Sequence, residues 1–185
     1  MSFVKRWRKY TSKSTQNLFR ITVAALCVIV VCSAAFFHLS FPVRYKKVVV
    51  SECEKYGLNP ADIYAIIWAE SKFDERAISS VGACGLMQLM PETASWCALN
   101  LQEKYAYDLL FDAEYNIKLG VFYYGYLLKK FGEKEKALAA YNAGEGNVYD
   151  WMAEKKYEIK FPETRRYVKI VNAISWIYGL KLTKN

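Results

Sequence analysis

From residue 21 to residue 39 the chain reads ITVAALCVIVVCSAAFFHL, 19 positions without Asp, Glu, Lys or Arg. That is close to the roughly 20 apolar residues a helix needs to cross the hydrocarbon core of a bilayer. Beyond it the pattern changes. Apolar residues recur every three or four positions in stretches punctuated by glycine, proline or asparagine, and period-two alternation is scarce. Positions 48–56 predict a helix stopped by Gly57, and Asn59-Pro60 restarts the chain with a capping residue and a proline at the first helical position. In that next helix Ile63, Ile66 and Ile67 fall at i, i+3 and i+4, and the following position on the same face is Glu70. Residues 79–91 (SSVGACGLMQLMP) predict a loop or short hairpin, with a helix from Glu92. Residues 112–131 predict a long helix stopped by Gly132. Residues 134–142 predict another, stopped by Gly144, and a last helix runs from Glu163, after Pro162, toward Tyr178. The expected fold is mainly α: one helical domain with at most a small β element, behind a single membrane-crossing helix.

Charge decides what the apolar run is for. The 185 residues, 54% hydrophobic and 24% charged, suffice for one domain plus a tail and do not describe a disordered polymer. A net charge of +8 would ordinarily suggest nucleic acid. However, Lys5, Arg6, Arg8, Lys9, Lys13, Arg20, Arg44, Lys46 and Lys47 are all the charges before Val48, which leaves 17 basic against 18 acidic residues in the remainder. The excess flanks the apolar run, so it is a topology signal and no nucleic-acid partner is expected. The reading is a basic cytoplasmic leader (1–20), a signal anchor (21–40), a short linker (41–47) and a domain (48–185) on the outer side of the membrane. A cleaved signal peptide, with Ser33-Ala34-Ala35 as the site and a secreted product, is the alternative, but the apolar run continues through Phe36, Phe37 and Leu39. Val31 before Cys32 and Leu26 before Cys27 are too large for a lipidated cysteine.

Inventory excludes several chemistries. His38 is the only histidine and lies at the end of the apolar run, so a histidine-based triad and a metal site are not expected, and no cofactor is. Cys53, Cys84 and Cys97 allow at most one disulfide in the exported part, with Cys84 and Cys97 the pair their location would permit.

Glu70, in register with a buried stripe, would be desolvated, which raises a carboxyl pKa toward that of a general acid at neutral pH; a frayed helix end turned to solvent is the competing reading. Its neighbours in sequence favour the first. Glu70-Ser71, then Gly82-Ala83-Cys84-Gly85-Leu86-Met87-Gln88-Leu89-Met90-Pro91, Ala140-Tyr141-Asn142-Ala143-Gly144 and Pro162-Glu163-Thr164-Arg165-Arg166-Tyr167-Val168 follow one another, with Asp112 to Ile117 and Gly120 between. This order of blocks, across about residues 48–178, strongly resembles the soluble-lytic-transglycosylase (SLT domain) family of peptidoglycan-cleaving enzymes, within the lysozyme superfamily.

The resemblance implies a lysozyme-like helical domain with a cleft for glycan strands. It also implies non-hydrolytic cleavage of the bond between N-acetylmuramic acid and N-acetylglucosamine, with a 1,6-anhydromuramic acid product. Glu70 matches the family's single catalytic acid and base. Tyr141 matches a tyrosine near that carboxyl, and Asn142 and Gly144 shape the turn that aims it. Gln88 and Met90 match cleft-lining positions where an amide reads an acetamido group and a thioether packs on a sugar, although Met90 also suits a core. Ser79 matches a serine near the reaction centre, and Glu163 matches a substrate-contacting acid that is equally explained as a helix-start carboxylate. Asp74, Glu75 and Glu92 read as solvated or capping acids. Cys84 stands where the family carries a small residue and is expected as an exposed thiol beside the cleft. A hydrolytic muramidase with the same fold, and a catalytically silent wall-binding module of an envelope machine, are the competing functions. Peptidoglycan strands, the membrane and an envelope-complex protein are the partners this reading names.

Overall fold

The structure, a computed structural model, describes residues 13–183. Contacts divide the chain into two units, Met1–Pro42 and Val43–Asn185. The described part of the first is one helix, α1 (Lys13–Ser40), which buries none of its side chains. The leader expected at residues 1–20 falls partly outside the described residues. Its described part, from Lys13, is already helical.

The second unit contains α2 (Lys46–Tyr56), α3 (Pro60–Ser71), α4 (Pro91–Asn100), a short 3-10 turn (Tyr107–Phe111), α5 (Ala113–Phe131), α6 (Lys134–Ala143), α7 (Glu145–Met152) and α8 (Pro162–Leu182). Its centre is α3. Asn59 caps it by accepting from the Ala61 N–H at 3.0 Å, Pro60 opens it, and every residue from Ala61 to Ile67 is buried. The stripe of Ile63, Ile66 and Ile67 therefore belongs to a helix surrounded on all sides. Each of these side chains contributes about 1.5–3 kcal/mol by burial. Helix α8 packs along α3, while α6 bridges α5 and α8. Tyr64 of α3 stacks on Tyr178 of α8 at 5.1 Å between ring centroids. At the start of α3, Asp62 accepts from Lys134 of α6 at 2.5 Å and from the Ser175 hydroxyl of α8, tying three helices at one point.

The stretch between α3 and α4 is the hairpin the glycine-rich sequence predicts. Two isolated antiparallel bridges, Ile78 with Cys84 and Cys84 with Leu89, are the β structure among the described residues. Buried Asn116 of α5 pins it: the Asn116 carbonyl accepts from the Met87 N–H at 2.8 Å, and its amide donates to the carbonyls of Cys84 (3.1 Å) and Leu110 (2.9 Å). Gly85 fits because its φ of 77° and the close approach of the Leu110 carbonyl leave no room for a Cβ.

One expectation is corrected. Cys84 is not an exposed thiol but fully buried, packed with Leu89, Cys97, Leu110 and Leu119, because the two bridges fold the loop inward. Cys84 and Cys97, the pair whose location would permit a bridge, form no disulfide, and all five cysteines are free. Residues 145–152, which the sequence reading leaves unassigned, form a helix, and the last helix, expected to run toward Tyr178, continues to Leu182.

Candidate active site

Glu70 lies in the last turn of α3, and the chain beyond it is locked. Ser71 donates its hydroxyl to the Leu86 carbonyl at 2.8 Å and accepts from the Phe73 N–H at 3.2 Å. Lys72 and Phe73 then take left-handed conformations, with φ of 53° and 67°, which end the helix abruptly. The Glu70 carboxyl is thereby held half-buried instead of swinging to solvent. Burial pushes its pKa up to about 7, against the opposing pull of the Tyr167 phenol and the Lys72 charge. The helix carboxyl end, carrying partial negative charge, is a further environment unfavourable to a carboxylate. Lys72 is held nearby by donation to the Trp68 carbonyl at 2.8 Å, its ammonium 3.1 Å from the centre of the Trp68 ring.

Two phenols, the buried one of Tyr167 and the partly buried one of Tyr141, lie within electrostatic reach of the same carboxyl. Tyr167 of α8 stands beside it, close enough to favour the charged form, although its hydroxyl makes no hydrogen bond of ordinary length. Tyr141 of α6 also feels the Glu70 charge, but its hydroxyl donates to the Met87 carbonyl at 2.7 Å. Burial keeps both phenols neutral. Tyr141 is thus pinned to the hairpin, leaving its oxygen free to accept from a ligand.

Beside Tyr141 opens a cleft of about 260 Å³ whose lining includes Gln88, Met90, Thr93, Tyr123, Tyr141 and Asn142. Four of the residues singled out in the sequence meet here. Gln88, with φ of 46°, donates its amide to the carbonyls of Ala77 (3.0 Å) and Gly85 (2.9 Å), so only its side-chain oxygen remains for a ligand. Asn142 accepts from the Thr164 hydroxyl at 2.8 Å. Its backbone is helical, so the unusual turn angle belongs to Gly144 alone, with φ of 87°. Met90, 37% exposed, precedes α4 and lines the cleft. Ser79 and Glu163 do not line it. The Ser79 hydroxyl accepts from the Ala83 N–H at 2.9 Å within the hairpin turn, and Glu163 stands exposed in the first turn of α8.

Thr164 and Tyr167 stand in the 162–168 block with no role assigned from sequence, and Lys72, Thr93 and Tyr123 escape the sequence reading. Tyr167 had a signal: Thr164, Tyr167, Val168 and Val171 form the buried stripe of α8 at helical spacing. Thr93 and Tyr123 had none, because their role comes from the meeting of α4 and α5. Other acids are engaged elsewhere: Glu75 accepts from the Tyr45 hydroxyl and faces Arg44 at 3.5 Å, while Asp74 accepts from the Arg76 N–H at 2.9 Å. Among the described residues no three His, Cys, Asp or Glu side chains converge as a metal site.

This geometry has known counterparts. A sequence model of the transglycosylase SLT domain matches residues 48–162. The soluble lytic murein transglycosylase of Salmonella typhimurium is 33% identical over 150 residues, covering 75% of this chain and 23% of that protein. The membrane-bound lytic murein transglycosylase C of Serratia proteamaculans is 32% identical over 116 residues, 57% of this chain and 32% of that protein. Among solved structures, an inactive glutamate-to-glutamine mutant of the lytic transglycosylase Slt of Pseudomonas aeruginosa superposes with a TM-score of 0.72 at 36% identity, covering 77% of this chain and 25% of that one. The chain thus spans about a quarter of the length of these soluble relatives.

Proposed function

The chain belongs to the transglycosylase SLT-domain family, and from that premise we propose that it is a membrane-anchored lytic murein transglycosylase whose single acid and base is Glu70. One observation carries the reading. Glu70 has a pKa raised to about 7, with no other acid among the charges that act on it. Glycosidases that use two carboxylates place the second within about 5–10 Å, as nucleophile or as activator of water, whereas substrate-assisted enzymes dispense with it. In the proposed reaction Glu70 protonates the oxygen of the N-acetylglucosamine leaving group as the C1–O bond of N-acetylmuramic acid breaks, assisted by the sugar's own acetamido oxygen. The resulting carboxylate removes the proton from the C6 hydroxyl, and O6 closes on C1. The acid is regenerated, no water is consumed, and the product carries a 1,6-anhydro ring.

The other groups divide the remaining work. Tyr167 and Lys72 ease the carboxylate that forms midway, since both favour the charged form of Glu70. The cleft carbonyl of Gln88, the Asn142 amide and the Met90 thioether hold the sugars. Helix α1 serves as the anchor: it is 28 residues long and carries no charged residue from 21 to 39, long and apolar enough to cross a membrane. The basic residues before it keep the amino terminus inside and the domain outside. Its relatives include both soluble and membrane-bound lytic murein transglycosylases.

The test is clearing of purified peptidoglycan by the full chain in detergent, with and without Glu70→Gln. Loss of at least about a hundredfold in rate is expected, the usual contribution of a positioned general acid. Equal clearing by both would remove Glu70 from the chemistry.

A further inference from the structure

The sequence makes residues 41–47 a linker, yet the second unit already begins at Val43, and Arg44 is bonded into it. The Arg44 carbonyl accepts from the hydroxyl of Tyr64, in α3, at 3.1 Å, and its guanidinium donates to the Phe73 carbonyl at 3.3 Å. The same guanidinium faces Glu75 at 3.5 Å, and the neighbouring Tyr45 hydroxyl donates to that carboxylate. Arg44 is thus tied to α3 nearly two turns before Glu70 and to the turn just after it. We propose that Arg44 is a positioning residue for Glu70: a brace, supplied by the segment that follows the membrane helix, which fixes the turn closing α3. The proposal deepens, and rests on, the reading of Glu70 as the reacting acid. Arg44 and Tyr45 precede the residues that the SLT-domain model matches, so the brace belongs to the tether and not to the shared domain.

The turn needs such a brace. Lys72 and Phe73 are consecutive residues with side chains at φ of 53° and 67°, a backbone region that persists only where contacts over-determine it. The buried Phe73 ring lies 6.2 Å from Tyr64 and 6.4 Å from Tyr178, between centroids. Ser71 holds the Phe73 N–H, and Arg44 holds the Phe73 carbonyl, so both polar groups of this backbone unit are fixed. Without Arg44 the turn can relax, the end of α3 frays, and the Glu70 carboxyl reaches water. Position is what the brace supplies. The side chains of Arg44 and Glu75 are each about half exposed, and an ion pair so placed adds little stability. Electrostatics separate this role from a direct one. The groups that act on the Glu70 charge are Tyr167 and Lys72, Tyr141 feels it in turn, and neither Arg44 nor Glu75 is among them. A carboxyl released to water loses the desolvation that raises its pKa, so its pKa falls, whereas loss of a nearby cation would raise it.

The experiment follows the Glu70 carboxyl by NMR in the full chain, in detergent, with isotope-labelled glutamate. The Glu70 signal is the one that Glu70→Gln removes. Arg44→Met is expected to lower its titration midpoint from about 7 by about one unit, and Arg44→Lys, which keeps a donor and a charge, to restore most of the shift. Clearing of purified peptidoglycan should carry the matching signature in Arg44→Met: kcat lower by about tenfold, KM within about twofold, and the fall of rate with pH moved to lower pH. The urea midpoint should barely change, which separates lost position from lost fold. Glu75→Gln removes the ion pair without touching the Phe73 carbonyl and should give a smaller shift in the same direction, so the question stays answerable if Arg44→Met does not fold. A Glu70 midpoint that stays or rises in both variants, or one that Arg44→Lys leaves as low as Arg44→Met does, would overturn the brace. The two readings fail separately. A full chain that clears no peptidoglycan, but whose Glu70 midpoint drops with Arg44→Met, loses the catalytic reading and keeps the brace. Clearing that Glu70→Gln abolishes, with a midpoint indifferent to Arg44, does the reverse.

Discussion

At the scale of single residues, Glu70 links chemistry to stability. An acid whose proton must be present at the first step stops working once it ionises, so cleavage should fall as pH rises through about 7. Tyr167→Phe and Lys72→Met each remove a group that favours the carboxylate, so both should move that fall to higher pH; a pH–rate profile checks this. The same shift costs folding free energy. Between its ordinary value of 4.5 and about 7 the folded chain holds a proton that the unfolded chain has released, so stability declines across this window as pH rises. Glu70→Gln removes the penalty. It should stabilise the protein by up to about 3 kcal/mol above pH 7 and by little near pH 4.5, as read by urea unfolding at the two pH values. The position of Glu70 was legible because it follows Ile63, Ile66 and Ile67 at helical spacing. What holds it was not, since the Ser71 hydroxyl reaches the Leu86 carbonyl, and Tyr167 comes beside the carboxyl, only through the fold.

At the scale of elements, the hairpin between α3 and α4 is held by α5. Asn116→Leu strips partners from the Met87 N–H and from the Cys84 and Leu110 carbonyls, all deep in the molecule. A loss of about 3 kcal/mol in urea unfolding is expected, together with reduced cleavage, because Met87 also receives the Tyr141 hydroxyl. Glycines sort by what surrounds them. A Cβ at Gly85 would lie 2.2 Å from the Leu110 backbone oxygen, whereas one at Gly132 meets nothing within 4 Å. Gly85→Ala should therefore lower the melting temperature well beyond Gly132→Ala, which meets backbone strain alone. Helix boundaries marked by local capping chemistry, such as Asn59-Pro60, Gly57 and Gly132, could be read directly from sequence. Helix α7 could not: it buries only Val148 and Trp151, and Gly144, the apparent stop, ends α6 and begins α7 at the same residue. Cys84 was misread for a related reason, since a glycine-rich composition looks solvent-exposed until the two bridges turn its thiol into the core.

At the scale of the whole molecule, an apolar helix with no buried side chain stands before a lysozyme-like domain, and the proposed function would confine wall cutting to the membrane surface. The full chain should stay with membranes through alkaline carbonate extraction, and a chain lacking residues 1–42 should not; release of the full chain would argue against the anchor. The central claim is that one carboxyl cuts the glycan without water, and product analysis tests it most directly. Purified peptidoglycan is digested by the full chain and by Glu70→Gln, and the muropeptides are weighed by mass spectrometry. Products ending in 1,6-anhydromuramic acid, absent with the variant, are the predicted result. Products ending in reducing muramic acid, heavier by one water, would contradict it.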